Sequence, residues 1–189
     1  INAVHPAGVD IATSGQLGKD DNATNATATA NDDDDHTATS AGLGAVDPGA
    51  VITFPIDIGN MRPALMAAGG DTATSVADTY NLTFEKIDDA TDASAFVVQL
   101  FKDASGDGVI DDDELVPISD TGWLAPVADV NADPLNPIFN LNVRVQVPAG
   151  TEKGTYYIDV IATSTNNPTK SDTMRLAIEV KDAPAIEVT

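Results

Sequence analysis

The stretch "IFNLNVRVQV", residues 138–147, decides the fold. Phe139, Leu141, Val143, Val145 and Val147 share one parity, and Asn140, Asn142, Arg144 and Gln146 take the other. Successive side chains of a strand point to opposite faces, so this alternation predicts a strand with one apolar and one polar face. A helix would need its apolar residues three and four apart, and here they fall two apart throughout.

The same pattern continues on both sides. Downstream, "GTYYIDVIATS" (154–164) and "DTMRLAIEVK" (172–181) predict two more strands, the second with Met174, Leu176, Ile178 and Val180 inward. Upstream, "DTYNLTFEK" places Tyr80, Leu82 and Phe84 inward and Asn81, Thr83 and Glu85 outward. "VITFPIDI" (51–58) is a further strand, and in "AFVVQLFK" (95–102) Phe96, Val98 and Leu100 share a parity. Turn-rich pieces such as "PAGTEKG" and "TNNPTKSD" join them. About seven strands with polar outer faces imply antiparallel sheets open to water on one side, packed as a two-sheet sandwich of the immunoglobulin-like class. One short helix is a candidate, "MRPALMAAGG" (61–70), broken by Pro63 and Gly69. Trp123 in "DTGWL" is expected to be a buried anchor of the sandwich.

Between two of these strands lies "KDASGDGVIDDDEL" (102–115). Asp103, Ser105, Asp107, Gly108, Asp111 and Glu114 fall at positions 1, 3, 5, 6, 9 and 12 of a calcium-binding loop, and Val109 offers its carbonyl at position 7. A hard cation that takes six to eight oxygens is served by closely spaced short carboxylates, a glycine for the sharp turn and one bidentate Glu. Pro117 would stop an exiting helix within its first turn. A calcium sensor works by changing an interhelical angle, so without helices Ca2+ is expected to act as a structural staple.

Composition narrows the rest. The 189 residues include 30 acidic against 9 basic side chains, a net charge of −21. That charge excludes non-specific DNA or RNA binding and disfavours docking on anionic membranes. Asp supplies 25 of the 30 acids, a bias toward turns and cation ligation rather than helices. There is no cysteine, which removes disulfides, thiol catalysis and cysteine-held zinc. No apolar run reaches the roughly 18 residues of a membrane-crossing helix. The start at Ile1 fits an exported chain whose signal segment has been removed. Catalytic motifs are missing: the two histidines, His5 and His36, lie near the front, and no G-x-S-x-G, phosphate-binding glycine loop or H-E-x-x-H occurs.

Residues 1–50 read differently from residues 51–189. "KDDNATNATATANDDDDHTATSAGLG" is Ala, Thr, Asn and Asp with almost no large apolar side chain. Alone it buries too little to offset its ordering entropy, so a long low-complexity N-terminal arm is expected in front of the sandwich. Within it, Asp32, Asp34 and His36 could approach a second ion, or form a solvated charge run. Asn22, Asn25 and Asn81 stand in N-x-[ST] sequons, candidate sites for attached glycans in an exported chain.

In order, "ADTYNLTF", "FVVQLFKDASGDGVIDDDE" and "FNLNVRVQVPAGTEKGTYYIDVIATSTNNPTKSDT" resemble the calcium-binding immunoglobulin-like repeat of secreted and surface proteins of bacteria and archaea. The resemblance covers about residues 76–174. It implies a sandwich, an extracellular or cell-surface location, and Asp103, Ser105, Asp107, Asp111 and Glu114 as ligands. The chain departs from the family pattern in holding one copy, an insertion around 61–75 and the acidic arm.

The termini, "INAVHPAGVDI" and "APAIEVT", are short, partly apolar and set off by Gly or Pro. Either could be the missing strand of a neighbouring subunit, or pair within its own domain. Head-to-tail donation does not close, so it yields a filament. The sequence thus reads as a non-enzymatic, self-assembling subunit of an extracellular pilus-like fibre or surface array. The alternative is a monomeric adhesion or ligand-binding module of a larger surface protein, and a weaker third is an accessory domain of a secreted hydrolase or inhibitor.

Overall fold

The computed structural model describes residues 8–14, 17, 37–39, 44–60, 76–87, 92–127 and 137–182. Among them are nine strands and no helix: β1 (Asp10–Thr13), β2 (Thr37–Thr39), β3 (Val51–Gly59), β4 (Asp78–Ile87), β5 (Val97–Lys102), β6 (Asp120–Leu124), β7 (Phe139–Gln146), β8 (Gly154–Ser164) and β9 (Ser171–Val180). They form a four-stranded sheet, β1-β3-β7-β5, and a five-stranded sheet, β2-β9-β8-β4-β6. All pairings are antiparallel except β2 with β9. The expected two-sheet β-sandwich is therefore present. The helix candidate at 61–70 lies outside the described residues.

The alternation read in β7 is the packing rule of the whole molecule. Leu141, Val143, Val145 and Val147 are wholly buried, and across the sandwich so are Ile158, Val160, Met174, Leu176 and Ile178. Each such side chain stabilises the fold by roughly 1.5–3 kcal/mol through loss of apolar contact with water. Phe96 closes one end of this core on Tyr156, with ring centroids 4.9 Å apart. On the water side of the five-stranded sheet, Arg175 grips Asp159 with two nitrogens, at 2.7 and 2.9 Å. This fork fixes the pairing of β8 with β9 from outside.

Two inward assignments are corrected. Trp123 is 79% exposed rather than an anchor. Strands β4 and β6 shift register between Thr79 and Asn81, and Gly122 takes a φ of +63 there, which glycine alone adopts at no steric cost. The buried places on β6 go to Thr121 and Leu124 instead, and the Thr121 hydroxyl accepts the N–H of Tyr80 at 3.0 Å. Phe84 is 38% exposed, because β6 pairs with β4 only as far as Asn81. Beyond that point Leu82 and Phe84 line a shallow groove shared with Val98, Leu100, Pro117 and Ile118.

The stretch read as an arm contributes to the sandwich. Val9, Ile11, Ala12 and Leu17 are buried, β1 lies along β3 with Ile11 opposite Ile58, and Val46 bridges Val180. These few apolar side chains are ordered by distant partners that local composition does not reveal.

Strand register also fixes the two ends of the molecule. Gly59, Asp78, Leu124 and Ser164 stand at one end, tied together by Asn60, whose amide donates to the Val76 and Leu124 carbonyls at 2.9 and 3.0 Å. Val51, Ile87, Gly154 and Val180 stand at the other. Gly8 lies at the first end, where its carbonyl accepts the Tyr80 hydroxyl. Asp182 lies at the second, beside Lys153 at 3.1 Å. The described chain enters and leaves at opposite ends.

Candidate metal centre

Strand β5 ends at Lys102, and the acidic loop starts at the next residue. From there the chain folds back over the outer face of the four-stranded sheet. The Asp103 N–H donates to the Asn140 carbonyl at 3.0 Å, and Phe101, buried on that outer side, bridges Pro117. No helix flanks the loop on either side.

Two of the expected ligands organise it. Asp103 is buried, and its carboxylate accepts the N–H groups of Gly106 at 2.6 Å and Gly108 at 2.8 Å, with the Ser105 hydroxyl at 3.2 Å. Glu114, eleven residues on and also buried, reaches back across the loop. Its Oε1 accepts from Ala104 at 2.6 Å and Ser105 at 3.0 Å, and its Oε2 from Asp111 at 3.2 Å. Asp107 closes the tip by accepting the Val109 N–H at 2.9 Å. Gly108 holds a φ of +77, and a side chain there would start 3.3 Å from the Pro55 ring. The positive φ favours glycine at this point, and the room for a side chain beside Pro55 is tight.

The electrostatics divide the loop. Hydrogen bonds from the N–H groups of Asp111, Ser105 and Ala104 hold the Glu114 carboxyl below its ordinary value. Asp111 moves the opposite way: the Asp107 carboxylate, then burial, then Glu114, Asp113 and Asp103 push its carboxyl up. Such like-charge crowding favours either protonation or a cation.

The donor chemistry fits a hard cation: Asp103, Ser105, Asp107, Asp111 and Glu114 offer only oxygen, from one loop. The gathering is incomplete, however. Among the described residues no three acidic or histidine side chains converge closely enough to hold a metal ion. The Val109 carbonyl, expected at the seventh position, accepts the Asn142 amide at 2.9 Å.

Asn142 is the residue that sequence reasoning missed. Its parity put it on the water-facing side of β7, yet it is wholly buried beneath the loop, and its Oδ1 has no hydrogen-bond partner. Asn140 lies beside it, with its amide 2.7 Å from where a Gly106 side chain would begin. The available signal was Asn at two successive polar positions of a strand, where Asn is usually depleted.

The other candidates scatter. Asn81 is exposed on β4, where it pairs with Asp120 of the edge strand β6. Asn22, Asn25, Asp32, Asp34 and His36 lie outside the described residues. Asp78 is buried but saturated, accepting from Thr79, Ser164, Thr165 and Asn166. Burial and then the nearby Asp78 charge push the Tyr80 hydroxyl well above its ordinary value, which keeps it a neutral donor to Gly8.

No protein-family profile matches this chain, and no curated protein does. Among solved structures it is similar to a family 123 glycoside hydrolase from Clostridium perfringens, with a TM-score of 0.40 and 11% identity over 77% of this chain and 23% of that one. It is also similar to the secreted serine protease VesC from Vibrio cholerae, with a TM-score of 0.41 and 10% identity over 79% of this chain and 22% of that one. A third is the seventh ScaB type I cohesin from Pseudobacteroides cellulosolvens, with a TM-score of 0.30 and 13% identity, covering 77% and 92%. The chain thus spans less than a quarter of the length of the first two, and none of the three carries a function across.

Proposed function

We propose that this chain is a non-enzymatic structural subunit of an extracellular filament or surface array, assembled head to tail by strand donation and stiffened by calcium at the 103–114 loop. The observation that carries the reading is axial: Gly8 and Asp182 lie at opposite ends of the sandwich. A contact made through the two ends repeats by translation and does not close on itself. An immunoglobulin-like module of a cell-surface protein fits the same geometry. In this reading Asp103, Ser105, Asp107, the Val109 carbonyl, Asp111 and Glu114 hold the ion. Its charge offsets the repulsion that raises Asp111, so binding couples to the order of the loop.

Electron microscopy of the purified protein, with calcium and then with excess chelator, tests this. Filaments that fray on chelation are expected, and dispersed single particles in both conditions would sink the subunit reading. One observation favours the runner-up, a monomeric adhesion or ligand-binding module. Trp123 is 79% exposed on the edge strand β6, an aromatic face of the kind that sugars and peptides stack on. Loss of binding to a glycan array in Trp123→Ala, with no filaments present, would select it.

A further inference from the structure

We infer that the cation takes one ligand from outside the acidic loop: the side-chain oxygen of Asn142, on strand β7. This rests on the calcium reading of residues 103–114 above and adds a residue to it.

The loop by itself is short of free oxygen. A carboxylate has about four lone-pair sites, two on each oxygen. Asp103 Oδ1 already accepts the Gly106 N–H at 2.6 Å and the Ser105 hydroxyl at 3.2 Å. Glu114 Oε1 accepts from Ala104 at 2.6 Å and Ser105 at 3.0 Å. Their second oxygens each accept one more N–H, from Gly108 and Asp111. The two buried carboxylates are thus left with about one open site apiece. At the tip, the Ser105 hydroxyl accepts the Asp107 N–H at 3.4 Å, and one Asp107 oxygen accepts from Val109 at 2.9 Å. A calcium ion takes six to eight oxygens, so an oxygen from beyond the loop has a place to fill.

Strand β7 holds such an oxygen directly beneath. The loop touches down on β7 at two points: the Asp103 N–H on the Asn140 carbonyl at 3.0 Å, and the Val109 carbonyl on the Asn142 amide at 2.9 Å. In the sheet Asn142 stands between Pro55 of β3 and Phe101 of β5, whose side chains carry no polar atom. Its nitrogen is engaged by Val109, the residue at the seventh ligand position. Its oxygen is buried and accepts nothing. A buried acceptor without a donor is rare and calls for its own explanation, a bound ion being one of the few. An amide carbonyl is also the neutral oxygen that calcium takes alongside carboxylates.

The assignment ties the ion to the core. On the other face of β7, Leu141 and Val143 are wholly buried. An ion held by both the loop and Asn142 joins an outer loop to the central packing of the sandwich.

Two substitutions and one resonance distinguish a ligand from a latch that merely holds Val109. Asn142→Leu keeps the volume, suits its hydrocarbon neighbours and removes the oxygen. Calcium affinity by isothermal titration should fall about tenfold or more, at least the cost of losing a group that only orients a ligand. Asn142→Asp keeps an oxygen, adds charge and removes the nitrogen, so affinity should equal or exceed that of the unsubstituted protein. In that protein, which needs no variant to fold, the Asn142 side-chain carbonyl carbon should shift in NMR as calcium is added. Asn142→Asp as weak as Asn142→Leu would identify a latch and overturn the inference, as would unchanged affinity in both. Calcium binding with an unmoved Asn142 carbonyl overturns the inference alone and leaves the calcium reading standing. No calcium binding by the unsubstituted protein removes that reading and the inference with it.

Discussion

The acidic loop and the slot that holds β1 both organise backbone, and they do it on opposite scales. In the loop, Asp103 and Glu114 collect N–H groups from residues at most ten positions away. In the slot, Ile11 is held by Asp172, 161 positions on, and by a strand that begins at Val51. The loop is a self-contained object that a short peptide already encodes. The slot exists only once two sheets have met.

The contrast is sharpest in stability. Ile11→Ala empties a fully buried site and should lower unfolding stability by about 2–5 kcal/mol, measured by urea denaturation. A cost no greater than that of a surface substitution would mean that β1 is not packed in the core.

Asp103→Ala acts on the local object and should cost about 1–3 kcal/mol, because the Gly106 and Gly108 N–H groups lose their acceptor. It should also abolish calcium binding by isothermal titration, while leaving β1 protected in hydrogen exchange. Simultaneous loss of protection in β1 would break the separation drawn here.

Acidity divides the loop further. Glu114 is held below its ordinary value, so it favours the folded loop at neutral pH and loses that contribution as pH falls through its lowered value. Asp111 is raised, so its ionised form opposes the loop above that value and protonation relieves the strain. Calcium should lower both, Asp111 more, and calcium affinity should fall as pH drops through the raised value of Asp111. Carboxyl NMR titration with and without calcium reads each group; an Asp111 that ignores calcium would remove it from the ligand set. The smallest effect is expected at Trp123→Ala, within about 0.5 kcal/mol, since a side chain so exposed has little packing to lose.

This division also explains what the sequence made legible. Period-two alternation named the inward residues of β7 and β9, because a strand half-buried in a sandwich has no other way to satisfy both faces. The calcium-like spacing in 103–114 was readable because its partners are neighbours. Trp123 was misread because hydrophobicity alone set its expected place, whereas the Gly122 kink decides which β6 side chains turn inward. Asn142 was misread for a related reason: parity gives the face of a strand, not what folds over that face. Strand β1 was the hardest to see, since Val9 and Ile11 stand in a stretch whose composition argues against order and whose partners lie far along the chain.

The placement of Gly8 and Asp182 at opposite ends has a mechanical side. Tension applied between these points runs along the strands, so β1 is sheared along β3 and its ladder bonds are loaded together. They are not peeled open one at a time. A strand pair loaded in this way resists rapid pulling far better than its modest length suggests, and it fails all at once.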